Sequence, residues 1–403
     1  MAETASLLPV KPYTGADFYV PSFQLFIRQK EFQLLRDVIS VSYTDSLSEV
    51  DSFDMTVNNW NPNEGGKQGE FKYSDGPDLD PWQDVELWMG YYRNGKFDRR
   101  RMLTGEITTS TVAFPSGGAS TLTVRGLNLL HRFRTEQMSR PFLNKKDSDI
   151  AKELVGEIDQ QIRKNVPNMQ IRMDEDERQI NLRRESAVPY LAMHNTYPVL
   201  FLMQRARDIG YDLSIDEAIS GENRIVTFRY RPGELVRRPT YELEWGKTLI
   251  SFAPTLQTAG QVNEVVVRGW DPKGKDKFEE KATRADLSNK GVVQPDMIGV
   301  KESSLAQRVE ITADRPVQTK QEAKDLAVNI LKQLTQGLVE ARGKTIGLPD
   351  LRAGCKIHVL GLGKRYSGTY LVTSTTHSIG EAGYTTDFAC RMEAKTSPQG
   401  GQA

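Results

Sequence analysis

One stretch of the chain has the composition of a nucleotide-binding loop. Residues 361–377 read GLGKRYSGTYLVTSTTH, with Gly361, Gly363 and Gly368 around a lysine and a serine. A P-loop requires a lysine and a hydroxyl residue directly after its last glycine, at the start of a helix. Here Gly368 is followed by a threonine, a tyrosine and a β-branched run, and Tyr366 stands where a dinucleotide fingerprint needs glycine. The spacing therefore excludes both loops. It predicts a tight turn at Gly361 and Gly363 and a strand that begins at Gly368.

The other residue types that perform chemistry are few and scattered. The histidines and cysteines are His131, His194, His358, His377, Cys355 and Cys390. No histidine pair has metal-ligand spacing, and two cysteines make no CxxC site. We interpret His358 and His377 as surface or interface residues on neighbouring strands, and both cysteines as small buried residues of a reducing compartment. No GxSxG motif is present. We therefore predict no catalytic residue, no metal, no cofactor and no enzymatic activity.

Composition narrows the class of protein. The chain has 403 residues, a length typical of about two or three domains. Its 53 basic and 53 acidic residues cancel, which argues against a general nucleic-acid-binding protein. No apolar run approaches the roughly 20 residues of a membrane helix. The N-terminus lacks the basic start and long apolar core of a signal peptide. We expect a chain made in the cytoplasm, with no membrane insertion and no specific nucleic acid.

Hydrophobic periodicity predicts β-strands at both ends of the chain and helices between them. From Ser22 to about Gly126, alternating segments such as DSFDMTVNNW indicate half-buried antiparallel strands. Residues 147–162 change to helical spacing, with Asp147 or Ser148 as the expected cap. Further helices are predicted from Pro198 to Gly210 and over 319–336. A second β region runs from about Tyr241 to Asp271 and resumes after the last helix.

The second β region repeats four segments of the first in the same order. VNNWNP is matched by VRGWDP, so that Trp60 and Pro62 correspond to Trp270 and Pro272 at strand ends. PDLDPWQDVELWMG is matched by PDLRAGCKIHVLG. LTGEITTST, with Gly105, is matched by YSGTYLVTSTT, and STLTVRG by GYTTDFACR. Chance similarity between strands is the alternative. The favoured interpretation is a duplicated unit, whose glycines serve backbone geometry.

The predicted fold class is α+β and mainly β. It comprises two tandem, similar antiparallel β-barrel domains of tube type with an inserted helical or α+β module. The expected units are a flexible N-terminus at 1–16, a first barrel at 17–134, the insertion at 135–238, a second barrel with helix 319–336 at 239–394, and a flexible tail at 395–403. Two barrels without a recognisable site suggest a scaffold.

Three long segments resemble the late control protein D family, the tail hubs of contractile phages. They are residues 103–133, 243–275 and 345–391, and their most specific motifs are WGKTLISF, VRGWDP, GLPDLRAG and YSGTY followed by TTH. The resemblance extends over about residues 20–393. It also includes the N-terminal hub part of type VI secretion spike proteins and of spikes in extracellular contractile injection systems.

This resemblance implies a structural baseplate hub. The resemblance further implies that three chains form a homotrimeric ring of six similar barrels, which joins a hexameric inner tube to a trimeric spike. The expected partners are the inner tube protein, a separate spike protein and other baseplate components. The chain is expected to be made in the bacterial cytoplasm and incorporated in a phage tail or injection particle. Fused spike proteins continue into further domains, whereas this sequence ends in TSPQGGQA. A hub whose spike is another polypeptide is therefore expected.

Two alternatives are a cell-wall hydrolase and a carbohydrate-binding module of a tail. The first requires a pair of carboxylates, which spacing alone does not reveal. The second requires an exposed aromatic platform, for which the candidates are Trp60, Trp82, Trp88, Trp245 and Trp270. The matched positions of Trp60 and Trp270 favour a structural role for those two.

Overall fold

A computed structural model of the chain describes most of its 403 residues. The described residues are 20–33, 37–60, 71–93, 96–165, 169–173, 185, 187–217, 224–232, 240–271, 274–287, 292–293, 295–299, 308–312, 317 and 319–395. The predicted flexible segment 1–16 lies outside them, as do Pro62, Pro272 and all of 395–403 except Lys395.

Strands dominate the described part. In the N-terminal third they are β1 (Val20–Ile27), β2 (Lys30–Phe32), β3 (Val38–Ser46), β4 (Ser52–Asn58), β5 (Asp84–Arg93), β6 (Lys96–Ala113) and β7 (Thr121–Asn128). The middle third contains β8 (Met138–Lys145), β9 (Met169–Met173), β10 (Val188–Thr196), β11 (Tyr211–Asp216) and β12 (Arg224–Pro232). The C-terminal third contains β13 (Thr240–Glu244), β14 (Leu249–Leu256), β15 (Glu264–Asp271), β16 (Asp276–Thr283), β17 (Val309–Thr312), β18 (Val339–Ile346), β19 (Lys356–Leu360), β20 (Gly368–Gly380) and β21 (Gly383–Lys395).

Three long helices lie where the apolar spacing predicts them. They are α1 (Asp147–Asn165), α2 (Pro198–Ile209) and α3 (Lys320–Gln336). Gly210 ends α2 with a φ of 73°, a left-handed conformation that glycine adopts without strain. The start of α1 differs from the prediction, because the amide of Ser148 donates to Glu185 at 3.0 Å. Asp147 instead accepts two hydrogen bonds from Arg205 on α2.

Thirteen of the described strands form one sheet, and they come from the N-terminal and C-terminal thirds of the chain. Its first half has the order β3-β4-β7-β6-β5-β1, and its second half the order β14-β18-β21-β20-β19-β13. Strands β1, β3, β4, β5, β6 and β7 of the first half correspond, in that order, to β13, β14, β18, β19, β20 and β21 of the second. Each pair of counterparts occupies the same position in its half. One direction differs, because β1 is antiparallel to β5 whereas β13 is parallel to β19. The expected mainly β fold with two similar halves is therefore confirmed.

Each half curls around a hydrophobic core of its own. The first core includes Phe53 and Leu103, and the second includes Val359 and Tyr370. Neither half is a closed barrel among the described strands, because β1 does not pair with β3 and β13 does not pair with β14. The two halves are instead joined by pairing between β3 and β20. The two predicted barrel units are thus the two halves of one continuous sheet.

The duplication extends to the irregularities of the strands. A β-bulge at Ile39 in β3 has its counterpart at Ile250 in β14. A bulge at Thr108 in β6 has its counterpart at Thr373 in β20. A β-bulge places an extra residue at one defined point of a ladder. The coincidence of two such points fixes the structural alignment of the halves residue by residue.

The turns that lead into β5 and β19 also correspond. The amide of Trp82 donates to Ile107 at 2.7 Å, and the amide of Gly354 donates to Val372 at the same distance. Both donors have positive φ, 74° for Trp82 and 82° for Gly354. Only glycine adopts this conformation routinely, so Trp82 holds a strained backbone that its counterpart does not.

The structure corrects two of the sequence matches. Gly105 lies three residues before the bulge in β6, and the residue three before the bulge in β20 is Tyr370, not Gly368. A shift of two residues keeps every side chain on its face, so the alternation does not reveal it. The match of VNNWNP with VRGWDP is also wrong, because Trp270 lies in β15, which belongs to a separate sheet. The counterpart of β4 is β18.

The remaining elements form two further hydrophobic cores. The insertion packs α1 and α2 against β8 to β12. The second packs α3, through Ala323 and Leu331, against β15 and β16. Helix α3 thus covers its own three-stranded sheet and makes only a small contact with β21 of the second half. Its side chains also reach α2, where Asn329 donates to the carbonyl of Asp208 at 2.9 Å.

Candidate assembly interface

The joint between the two halves is built from one strand with two neighbours on the same side. The first residues of β20, Gly368 to Leu371, pair with β19. Its later residues pair with β3, with Ser374 opposite Ser46 and Ile379 opposite Val41. β20 has the length for both partners because it runs for 13 residues. The joint therefore consists of six residue pairs between segments far apart in sequence.

Polar side chains on one face of this joint pair across it. The hydroxyls of Thr44 and Thr376 lie 3.1 Å apart. Ser42 and Ser46 flank Thr44 on the same face, opposite Ser378 and Ser374. Cross-strand hydroxyl pairs of this kind add a modest stabilisation to a ladder. This face is consequently lined by small polar side chains.

The other face of the joint is buried and fully hydrogen-bonded around His377. Its Nε2 lies 3.0 Å from the carbonyl of Leu351, which accepts only, so Nε2 is the protonated nitrogen. Nδ1 then accepts from the hydroxyls of Tyr384 and Thr386. Burial and the charge of Arg352 lower the pKa of His377 well below its usual value. His377 is therefore a neutral core residue, contrary to the surface or interface role predicted for it.

Asp45 ties the joint to the loop before β19. Its carboxylate accepts the amide of Ala353 at 2.9 Å and the hydroxyl of Thr375. Arg352 in the same loop lies over the ring of Tyr43, with 4.6 Å between the guanidinium carbon and the ring centroid. Arg352 also donates to the carbonyl of Arg101 at 3.1 Å. These contacts hold the two halves in one orientation.

A cavity of about 440 Å³ lies where the two halves meet the insertion. Charged residues from all three parts line it, including Asp51, Arg101, Glu217 and Arg352. Desolvation, reinforced by the carboxylates of Asp45 and Glu217, raises the pKa of Asp51 to about 8. Burial also raises the pKa of Glu217. The junction thus places two carboxylates, Asp51 and Glu217, where ionisation is unfavourable.

Several strand edges of the large sheet are open in the described part of the chain, including those of β2 and β13, and two of them belong to the counterparts of the joined strands. One is the outer edge of β14, which pairs with β18 and has one isolated bridge besides, between Leu249 and Trp245. The other is the end of β6 from Thr109 to Ala113, which pairs with β7 on one side only. Phe114, just past this end, is 62% exposed. Open edges are a template for pairing with another chain.

The predicted turn residues lie around the ends of β19 and β20. Gly361 and Gly363, with φ of 84° and 70°, occupy the connection, in which Gly363–Tyr366 forms a short helix. Gly368 is the first residue of β20. Gly105 lies in the middle of β6, where a Cβ atom would stand 1.8 Å from the carbonyl oxygen of Leu127. Gly105 thus permits the close approach of two backbones rather than a turn.

The remaining predicted residues do not form one site. Trp60 bridges Phe71 after β4, whereas Trp270 pairs with Lys277 in the separate sheet. Pro62 and Pro272 lie outside the described residues. His358 accepts from or donates to Thr369 at 2.8 Å, apart from the network of His377. The open edges and the bulges were missed in the sequence, because neither has a composition that differs from an ordinary strand.

The described ranges contain neither a cluster of metal-ligating side chains nor a membrane-spanning helix. No group of three or more histidine, cysteine, aspartate or glutamate side chains there is arranged to hold a metal ion. Within the same residues, no helix combines the length and the apolar character needed to cross a membrane.

Three solved structures are similar to this chain in fold. The 43 kDa tail protein of prophage MuSo2 from Shewanella oneidensis is 13% identical, with a TM-score of 0.63 over 93% of this chain and 98% of that chain. The tail protein from Neisseria meningitidis MC58 is 12% identical, with a TM-score of 0.63 over 93% and 97%. The E. coli c3393 protein, a component of the type VI secretion system, is 11% identical, with a TM-score of 0.54 over 93% and 79%.

Sequence comparison adds one partial match. The family model of the Alg8 N-terminal domain matches residues 219–381. That segment ends before β21, which pairs with both β18 and β20 inside the second half. It also spans parts of several cores, so it corresponds to no single folded unit of this chain. No curated protein matches the sequence.

The chain therefore has the fold of phage tail proteins and of a type VI secretion component. The tail-protein fold expected from the sequence resemblance is confirmed over 93% of the chain.

Proposed function

We propose that the chain is a structural hub of a contractile tail or injection machine. The observation that supports this best is the duplication inside one continuous sheet. Two equivalent units per chain are what a ring needs if three chains are to present six similar positions. Such a ring matches a hexameric tube on one side and a trimeric spike on the other.

The contacts inside the chain support a rigid adapter. The halves are joined by six residue pairs between β3 and β20 and by the Asp45 and Arg352 contacts, and Tyr91 donates to the carbonyl of Gly347 at 2.8 Å. A part that transmits force during sheath contraction requires units that do not rotate against each other.

In this proposal the chain binds proteins and catalyses no reaction. Its partners are two further copies of itself, the inner tube protein, a separate spike protein and other baseplate components. It is made in the bacterial cytoplasm and becomes part of the tail baseplate or injection particle. The likeness to tail proteins supports an assembly role, since their fold is reproduced over nearly the whole chain.

The direct test is the mass of the purified protein in solution. Native mass spectrometry and light scattering over a concentration series are expected to give three times the 45.4 kDa of one chain. The assembled protein should then bind purified inner tube protein on one face. A chain that stays monomeric at every concentration and binds neither tube nor spike protein contradicts the proposal.

A further inference from the structure

The internal joint specifies how two copies of the chain meet. It pairs β3 of the first half with the end of β20 of the second. The counterparts of these strands are β14 and β6, and the corresponding edges of both are open in the described part of the chain. We propose that β14 of one copy pairs antiparallel with the end of β6 of the next copy. This inference rests on the proposed ring and adds the two edges and their register.

The register follows from the structural alignment of the halves. Val41 and Phe252 are equivalent, since each lies two residues after the bulge of its strand. Ile379 and Phe114 are equivalent, since each lies six residues after its bulge. Because Val41 pairs with Ile379 inside the chain, Phe252 pairs with Phe114 of the next copy.

The same alignment places Thr255 opposite Thr111. Their counterparts are Thr44 and Thr376, whose hydroxyls lie 3.1 Å apart in the internal joint. Both Thr111 and Thr255 are exposed in the isolated chain. Ala253 falls opposite Ala113 and Gln257 opposite Thr109, so this face again has small or polar side chains. On this face, the central pair of Thr111 with Thr255 therefore reproduces the hydroxyl pair of Thr44 and Thr376 in the internal joint.

The opposite face of the new joint is apolar at two of its three pairs, and the third places Leu256 opposite Ser110. Phe252 lies opposite Phe114, and Pro254 opposite Val112. Phe114 is 62% exposed and Val112 is half-buried, so pairing removes apolar surface from water. Aromatic cross-strand pairs are among the more favourable ones in antiparallel sheets. Both faces of the joint are thus complementary in the register that the repeat dictates.

Backbone hydrogen bonds agree with this pairing except at one residue. The amide of Gln257 donates inward to Leu338 at 2.9 Å, so residues 252, 254 and 256 face the open edge. The internal joint has the same alternation. The amide of Leu47 donates to Thr373 across it at 3.0 Å, so residues 41, 43 and 45, the counterparts of 252, 254 and 256, face β20. Pro254 has no amide hydrogen, so the joint between copies loses one donor. This loss limits unwanted pairing of the edge while leaving the other bonds available.

Disulfide trapping tests the register. Thr111 and Thr255 form a non-hydrogen-bonded pair, in which Cα atoms lie about 4.5 Å apart, within the range of a disulfide. The double variant Thr111→Cys/Thr255→Cys is expected to give covalent dimers and trimers on non-reducing gels after mild oxidation. The native Cys355 and Cys390 are buried. The wild-type protein, which contains only these two cysteines, gives the background level of cross-linking.

Two further variants control this experiment. Thr44→Cys/Thr376→Cys should form its disulfide within one chain and leave the gel mobility that of a monomer. Thr109→Cys/Thr255→Cys is out of register by two residues and should give at most a small fraction of the cross-linked species. An assembled trimer in which the matched pair gives no more cross-link than the shifted pair overturns the register but leaves the proposed ring intact. A chain that remains monomeric overturns both.

Discussion

Gly105 offers the most direct test of the strand packing in the first half. It lies in β6 between β5 and β7, and a Cβ atom there would stand 1.8 Å from the carbonyl oxygen of Leu127. Real Cβ contacts are not shorter than 3.0 Å, so Gly105→Ala must separate the strands by more than 1 Å. Neither neighbour can yield easily, because both are backbone in the middle of a ladder.

The expected loss is large for a single methyl group. Overpacking of a well-packed interior costs about 1–3 kcal/mol, and a clash with backbone belongs at the upper end. A destabilisation of about 3 kcal/mol corresponds to a fall in Tm of roughly 6–12 °C for a unit of about 150–250 residues that unfolds cooperatively. Differential scanning calorimetry measures this shift in the purified protein.

Gly117→Ala is the matched control. Gly117 lies in the connection between β6 and β7, has no atom within 4 Å of a built Cβ, and has no positive φ. Its substitution is expected to change Tm by less than about 1 °C, as for most surface changes. If Gly105→Ala also unfolds within about 1 °C of the wild type, the close approach of β6 and β7 described above is refuted.

Three further predictions concern other parts of the chain. Trp82→Gly should raise the stability by about 0.5–1 kcal/mol in calorimetry, because glycine relieves the left-handed backbone of a side chain that is 76% exposed; a lower Tm would contradict this. Thr319→Ala should cost about 1 kcal/mol, because it removes the capping box formed with Glu322 at the start of α3. Helical circular dichroism during urea unfolding measures it, and an unchanged midpoint would contradict it. Asp51→Asn should flatten the pH dependence of Tm. The folded protein keeps the Asp51 proton up to about pH 8 and the unfolded chain releases it near pH 4, so wild-type stability falls as pH rises through that window. Parallel Tm curves for the two proteins between pH 4 and pH 8 would contradict this assignment.

The strand and helix types could be predicted because their periods differ. The three long helices follow apolar spacing that the structure buries, and α3 begins at the Thr319 capping box. The duplication was also visible in sequence, through segments that became β5, β6 and β7 and their counterparts β19, β20 and β21. What these segments share is local: turn residues followed by an alternating strand.

The exact register of the repeat could not be predicted. Gly105 and Gly368 attract alignment because glycine is conspicuous, yet the bulges align Gly105 with Tyr370. A bulge depends on how two strands pair and requires no particular residue type. The bulges at Thr108 and Thr373 could therefore not be recognised in the sequence. The Trp60 and Trp270 match failed for a similar reason, since a polar end with tryptophan and proline terminates strands in unrelated sheets.

The joint itself was equally hidden in the sequence. His377 has the polarity of a surface residue, but Leu351, Tyr384 and Thr386 satisfy both ring nitrogens inside the protein. Pairing of β3 with β20 joins residues more than 300 positions apart. Such pairing is set by which edges remain open after each half has formed, and local patterns carry no record of that.

Cryo-electron microscopy of the assembled protein tests the central claim most directly. The account predicts a ring with three-fold symmetry and six similar β units, in which β14 of each copy continues the sheet into β6 of the next. The Thr111 and Thr255 positions should face each other across every contact between copies. A ring of another symmetry, or one in which these two edges remain apart from neighbouring copies, would contradict it.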